Sequence, residues 1–375
     1  MKVSGKPMSV DIGIIGLAKS GRTTIFNALT KGKVETGSYA QKDLTPHVGI
    51  ARVPEPRLTM LTDMLHPERV VPAEVRYLDI GASVKGLVKD KAISSQFLSQ
   101  LSNVDALINV VRAFTDESIP YIEGSLDVER DIATTDFELA FSDLAIIDRR
   151  LEKIELSLKG AKQLERQGFL REQELLQTVK ANLEKEAPLR ELKLTSDEAR
   201  TMANYQFLTA KPLLIVVNIG EEQLPQAESL ETELKTHYSR PKCDIITLCG
   251  KLEMELAQLD ESAAEGFRAE FSIKESGLDR TIKLSYQLLG LISFFTIASG
   301  EVKAWSIQNG TSALKAAGKI HSDMERGFIR AEVISYDDLM KCGSLSEAQK
   351  KGLLRLEGKN YTVQDGDIIT FLFNV

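Results

Sequence analysis

Gly16-Leu-Ala-Lys-Ser-Gly21-Arg22-Thr23-Thr24 is the stretch whose reading decides the fold. An apolar run from Val10 to Ile15, broken only by Asp11 and Gly13, leads into it, and Ile25-Phe-Asn-Ala-Leu29 behind it reads as a helix. Strand, glycine loop and helix is the setting that a P-loop requires. Glycines let backbone N–H groups curl around phosphate oxygens, and the helix behind aims its positive end at them. On this reading Gly16, Lys19, Ser20, Gly21, Arg22, Thr23 and Thr24 cradle a nucleotide's phosphates, and the Thr23 hydroxyl is a ligand for Mg²⁺. The template G-x-x-x-x-G-K-[ST] has lysine where this chain has Arg22. Arginine keeps the charge but is planar and wider, so the exchange is not neutral. A tight turn between a buried strand and a helix, with no ligand, would use the same residues. The motif alone leaves both open.

With 375 residues the chain has room for two or three domains and an ample core. Hydrophobic residues at 43% and charged ones at 27% match a soluble globular protein. A net charge of −7 makes the whole chain no magnet for nucleic acid, and DNA is not an expected partner. Cys243, Cys249 and Cys342 match no metal-binding spacing, and their odd number argues against a disulfide framework. No apolar run approaches the ~18 residues of a membrane span, and no cleavage pattern follows the N-terminal apolar run. The expectation is a cytoplasmic protein without a membrane partner.

Further along, His47–Val53 and Val75–Leu78 read as strands, with a turn at Pro54-Glu55-Pro56 between them. The second strand ends in Asp79. A carboxylate at that end of a strand beside the P-loop strand can hold the Mg²⁺ shell, and a helix-capping aspartate would occupy the same place. Ala106–Val111, Leu213–Val217 (followed by Asn218) and Ile245–Leu248 are apolar strands separated by helical segments. They describe a mostly parallel sheet covered on both faces. Between them Leu144, Ile147, Leu151, Ile154, Leu158 and Ala161 recur at three- and four-residue steps, a heptad seam. Leu176, Val179 and Leu183 continue it after a break at Gln167-Gly168. The pattern predicts an antiparallel coiled-coil hairpin inserted in the sheet domain. Arg149, Arg150, Lys153, Lys159, Lys162 and Arg166 make its first helix basic, which a solvated face explains more readily than RNA contact. The last segment, with strands at Phe294–Thr296, Val302–Ile307, Ile329–Ile334 and Ile368–Phe373 and a helix from Thr311, is a small α+β module.

The order of these motifs resembles the YchF family, Obg-related P-loop NTPases that prefer ATP. Asp79-Ile with Val84-Lys-Gly86, Val110-Val-Arg-Ala-Phe114 and Leu208-Thr-Ala-Lys-Pro212 carry the resemblance. So do Ile320-His-Ser-Asp-Met-Glu-Arg-Gly327 through Val333, Tyr336-Asp-Asp338, Arg355–Lys359 and the final Phe373-Asn-Val. It implies an α/β architecture: a P-loop NTPase sheet (1–135 and 206–284), a coiled-coil insertion (136–205) and a β-grasp TGS domain (285–375). It also implies ribosome or RNA as partner, ATP or ADP as ligand, and Mg²⁺ as cofactor. Base recognition falls to Asn218, Ile219 and Glu221, with Cys249-Gly250 on the other side of the base. A guanine site usually reads N-K-x-D. Glu221 in place of the aspartate shifts the carboxylate by roughly 1.5 Å, enough to spoil guanine's hydrogen bonds.

The active centre departs from the family at Arg22, at Asp43 where a threonine caps the metal and terminal phosphate, and at Ala82 where a glycine amide meets the γ-phosphate. Asp43 could itself be a metal ligand beside Thr23 and Asp79, with Arg22 and Asp79 carrying the chemistry. Two functions follow. One is a slow ATPase that favours ATP over GTP and docks on ribosomes or RNA in a nucleotide-dependent way. The other is a non-hydrolysing adaptor that keeps the fold and the interaction surfaces.

Overall fold

The computed structural model describes residues 10–34, 45–81, 83–85, 91–121, 124–270, 273 and 275–374. In the first two-thirds of the chain the strands are β1 (Val10–Gly16), β2 (His47–Arg52), β3 (Arg69–Val71), β4 (Glu74–Asp79), β5 (Ala106–Arg112), β6 (Leu213–Asn218) and β7 (Cys243–Leu248). All except β3 form a six-stranded sheet in the order β2-β4-β1-β5-β6-β7. β1, β5, β6 and β7 run parallel, with Ile14 opposite Ile108 and Asn109 opposite Ile215. Every residue of β5 and of β6 is buried, as unbroken apolar runs require when helices cover both faces.

Five helices matter for the site and its insertion: α1 (Arg22–Thr30), α2 (Pro56–Leu65), α3 (Lys91–Ser102), α4 (Val128–Leu158) and α5 (Gln163–Leu183). Phe97 and Leu101 of α3 pack into one core with Ile15, Leu107, Ile215 and Ile245. The long helix α4 belongs to two cores. Its first turns bury Ile132 and Leu139 in the sheet's core. Beyond them Ile147 and Ile154 meet Leu176, Val179 and Leu183 of α5 in a core of their own. Arg150 pairs with Glu172 at 2.8 Å and Asp148 with Lys180 at 2.7 Å, the order an antiparallel hairpin demands. The heptad seam therefore forms as expected. Its turn lies elsewhere. The chain reverses at residues 159–162, and Gln167-Gly168 sits inside α5. Gly160 breaks the first helix, and Lys162 with Glu165 caps the second. Gly168 faces open space and costs its helix only about 1 kcal/mol, so it need not end it.

The remaining strands are β8 (Leu291–Ala298), β9 (Glu301–Gln308), β10 (Phe328–Ser335), β11 (Arg355–Glu357) and β12 (Asp367–Phe373). With β3 they form a mixed sheet in the order β11-β10-β12-β8-β9-β3. β8 and β9 make a tight hairpin through Ser299 and Gly300, both at positive φ, the turn that matches strand twist. Helix Ala313–Ile320 buries Ala313, Ala316 and Ala317 against Phe294, Val333 and Ile369. This is the β-grasp layout of hairpin, helix and returning strands.

Contacts divide the chain into two units, and residues 50–76, read from the sequence as part of the nucleotide domain, fall with 282–375. Two features explain it. β3 pairs in parallel with β9, and Arg57 at the start of α2 spans Glu55 and Asp365 at 2.7 and 2.8 Å. The Asp365 carboxylate also accepts from the Ser293 N–H. A three-residue strand and a short helix behind Pro56 leave little periodic signal, and the sequence reading names only the turn Pro54-Glu55-Pro56 between the strands on either side.

Candidate nucleotide site

Four strand ends build the site. Gly16 closes β1, Asp79 closes β4, Asn218 closes β6, and Cys249-Gly250 follows β7. Crevices outside the carboxyl ends of such strands are where this architecture binds ligands.

The loop from Gly16 to Gly21 bends through positive φ at Gly16, Lys19 and Gly21. Two of these positions admit nothing larger than glycine. A Cβ on Gly16 would stand 2.4 Å from the Val110 carbonyl oxygen, and one on Gly21 would stand 2.2 Å from Nδ2 of Asn218. Gly21 is the N-cap of α1, so Arg22, Thr23 and Thr24 form the helix's first turn, where unpaired N–H groups collect. This concave run of amides at a helix start is the shape that takes a phosphate.

Beneath it, the Thr23 hydroxyl donates to Asp79 Oδ2 at 2.8 Å. Asp79 is 2% exposed, and its other oxygen, Oδ1, is buried without a hydrogen-bond partner. Among the described residues that oxygen has no partner, and a buried carboxylate oxygen left unmatched is costly unless a cation or donor completes it. A hydroxyl and a carboxylate are hard oxygen donors, so the set fits Mg²⁺ carried in by a nucleotide. Asp43 and Ala82 lie outside the described residues.

Arg22 reaches the backbone just after β4. Its Nη1 donates to the Ile80 carbonyl at 2.7 Å and Nη2 reaches the Gly81 carbonyl at 3.4 Å. Burial lowers its pKa from the usual arginine value, and the nearby Asp79 charge partly offsets that. The Val84 N–H reaches back to the Gly16 carbonyl at 3.4 Å. The residues after β4 are thus tied to the P-loop at Gly16 and Arg22, and the end of β4 itself at Thr23.

At the other end Asn218 is a brace. Its Nδ2 donates to the Ser20 carbonyl at 3.0 Å, and its Oδ1 accepts from the Gly250 N–H at 2.9 Å. It holds the P-loop, the end of β6 and the loop after β7 in one arrangement. Ile219 is buried in the sheet's core, and its N–H donates to the Leu248 carbonyl. Its side chain is therefore packing, which the sequence reading of Ile219 as a binding residue did not foresee. Glu221 is exposed and pairs with Lys251 at 3.0 Å. Burial pushes the Cys249 thiol up, so it stays protonated at neutral pH. The structure thus gathers Ser20, Gly21, Asn218 and Gly250 into one cluster and Arg22, Thr23 and Asp79 into another.

One neighbour was legible only as part of a motif. The Phe114 ring lies 3.8 Å from where a Gly21 Cβ would be. Arg112 stacks between Phe114 and Tyr121 at 4.5 and 4.1 Å, and its Nε donates to the Phe114 carbonyl. The signal was the run Val110-Val-Arg-Ala-Phe114, an arginine beside an aromatic just past a buried strand.

Comparison with known proteins agrees with this geometry. Over 370 residues the chain is 39% identical to the ribosome-binding ATPase YchF of Bacillus subtilis, covering 98% of this chain and 100% of that one. This chain belongs to the YchF family. The YchF protein of Escherichia coli O157:H7 is 34% identical over 368 residues, again across 98% of this chain and all of that one. Residues 291–374 match the family YchF-GTPase_C, described as a protein of unknown function (DUF933). Residues 11–145 match MMR_HSR1, the 50S ribosome-binding GTPase family. The solved structure of the Schizosaccharomyces pombe YchF GTPase superimposes with a TM-score of 0.82 at 28% identity, over 97% of this chain and 98% of that one. The YchF fold therefore holds here across both sheets and the helical insertion.

Proposed function

We propose that this protein binds ATP with Mg²⁺, hydrolyses it slowly, and docks on ribosomes in a nucleotide-dependent way. The observation that carries the reading is the Thr23 hydroxyl bound to a buried Asp79 whose second oxygen has no partner among the described residues, directly under a glycine loop. Mg²⁺, when bound, would neutralise charge on the β- and γ-phosphates. Thr23 and Asp79 are the residues to hold it, with Asp43 a further candidate. The amides from Lys19 to Thr24 bind and orient the phosphates, which is ground-state positioning. Asn218 fixes the two loops that flank the base, and Glu221 replaces the shorter acid that guanine's N–H groups need. That favours ATP over GTP. Slow hydrolysis follows from the sequence offering Ser83 rather than a water-orienting glutamine after Asp79-Ile-Gly-Ala, and from Arg22 being engaged by carbonyls.

The bacterial relatives are ribosome-binding ATPases by name, which supports the ribosome as partner and a cytoplasmic setting. Among the described residues no helix is long and apolar enough to cross a membrane. We assign RNA or ribosome contact to the hairpin (136–205) and to a TGS-type module (285–375).

A second reading, a non-hydrolysing adaptor, is favoured by one observation, the Arg22 guanidinium bound to Ile80 and Gly81. Steady-state phosphate release with and without ribosomes separates the two. The ATPase reading expects slow turnover that rises with ribosomes. No release above background in either condition, with ribosome binding retained, would establish the adaptor.

A further inference from the structure

We propose that α4 carries a docking stripe for a second copy of this chain, whose own α4 pairs with it antiparallel to make a two-fold symmetric dimer. One side of the helix's first half is spent on the fold: Ile132, Thr135, Leu139 and Ser142 are buried. On the other side Phe137 is 62% exposed and Phe141 42%. Their rings stack on each other at 6.0 Å, with 26° between the planes. Single apolar side chains scattered on a surface are ordinary, but two stacked phenyl rings held in water on a long helix mark a contact site.

The spacing around the rings says what covers them. Arg130, Thr134, Phe137, Phe141, Leu144 and Asp148 follow one another at steps of four, three, four, three and four, the heptad rhythm of paired helices. Those steps read the same in both directions, with their midpoint at Leu139. A second α4 turned end for end therefore sets Phe137 against Phe141, Thr134 against Leu144 and Arg130 against Asp148. Each contact then occurs twice, as a two-fold interface requires. The side chains fit this register. Rings meet rings at the centre, where aromatic area supplies the affinity. The Thr134 hydroxyl is already spent on the Arg130 carbonyl at 2.8 Å, so no unmet donor is buried opposite Leu144. At each end opposite charges meet, whereas parallel pairing would set Arg130 against Arg130 and Asp148 against Asp148. Both groups also have partners within the chain, Arg130 with Asp131 at 2.8 Å and Asp148 with Lys180 at 2.7 Å. Their part is direction and register more than affinity. From Arg130 to Asp148 the stripe runs about 27 Å at ~1.5 Å per residue, and it is one helix wide. Such an interface belongs to the small class, below about 1,200 Å², so the dimer forms reversibly as concentration rises.

Sedimentation velocity of the full-length protein without nucleotide, from about 1 to about 500 µM, tests this independently of the nucleotide reading. A monomer–dimer equilibrium is expected. Phe137→Asp, at an exposed position, should weaken it at least about tenfold and leave the melting temperature of the dilute monomer unaltered. Charge reversal reads the direction of pairing. Arg130→Asp alone and Asp148→Arg alone each set like charges together at both ends, so each protein should self-associate less than the native one. Mixed in equal amounts, the two satisfy both ends and should form heterodimers about as tightly as the native protein forms its dimer. Should either charge variant fail to fold, Phe137→Asp still decides whether the stripe is the interface. Native protein that stays monomeric throughout would overturn the proposal, and if Phe137→Asp then also lost ribosome binding, the stripe would belong to a ribosomal partner. Dimers that Phe137→Asp leaves intact would overturn it too, by placing the interface elsewhere. A mixture no tighter than its components would overturn the antiparallel register.

Discussion

The two ends of the site are built on opposite plans. At the phosphate end a charged carboxylate, a hydroxyl and a guanidinium interlock: Thr23 with Asp79, Arg22 with the carbonyls of Ile80 and Gly81. At the base end the buried group is the neutral Asn218, spent on bracing loops, while the charged pair Glu221–Lys251 is exposed to solvent. Charge buried in a low dielectric acts strongly and is dear to disturb, whereas exposed charge is screened. Phosphate and metal binding should therefore be the robust property of this site, and base discrimination the adjustable one.

The sharpest way to break that contrast is Asp79→Asn. It keeps the shape and the Thr23 contact but removes the charge. Affinity for ATP in Mg²⁺ should fall on the order of a hundredfold, as loss of a metal's carboxylate partner does, while affinity in EDTA barely changes. Equal loss in both conditions would mean that Asp79 is a structural cap. Next in size is Asn218→Ala, which deletes two hydrogen bonds of about 1 kcal/mol each and orphans buried partners. We expect a melting temperature lower by about 4–8 °C and weaker binding of ATP and GTP alike. Selective loss of one nucleotide would make Asn218 a base reader.

How much of this the sequence disclosed follows from which interactions are periodic. The apolar runs of β5 and β6 and the seam through Ile147, Ile154 and Val179 repeat at the period of their elements, so strands and hairpin were legible. Gly160 and Gly168 are chemically identical, and only capping by Lys162 and Glu165 tells which one ends a helix. The membership of residues 50–76 depends on Arg57 meeting Asp365, a contact across a separation of 308 positions that no local pattern carries. Within the site the residue types were readable, but Arg22 turning to carbonyls and Ile219 turning into the core depend on three-dimensional placement.

A third perturbation acts through pH at the hairpin's root, away from both ends. Asp143 accepts from the N–H groups of Leu208 and Thr209 and from the Thr209 hydroxyl, and burial still pushes its pKa up to about 6. The folded state thus holds that proton more tightly than the unfolded chain, whose aspartates ionise near about 3.9. This contribution to stability is full below about pH 4 and is lost as pH rises through about 6. Urea unfolding between those values should show a decline that Asp143→Asn flattens. An unchanged slope would mean that the three donors hold the carboxylate ionised throughout.

The smallest effect belongs to the exposed pair. Lys251→Ala should leave the melting temperature unaltered and shift the ATP-to-GTP affinity ratio by less than about threefold. A larger shift would give the base end a charged determinant after all.

The central claim is tested most directly by titration calorimetry of the native protein with ATP, ADP and GTP, in Mg²⁺ and in EDTA. The account predicts ATP and ADP binding within a few-fold of each other, both strengthened by Mg²⁺, with GTP weaker. GTP binding tighter than ATP by about tenfold, a difference of ~1.4 kcal/mol, or affinities indifferent to Mg²⁺, would contradict it.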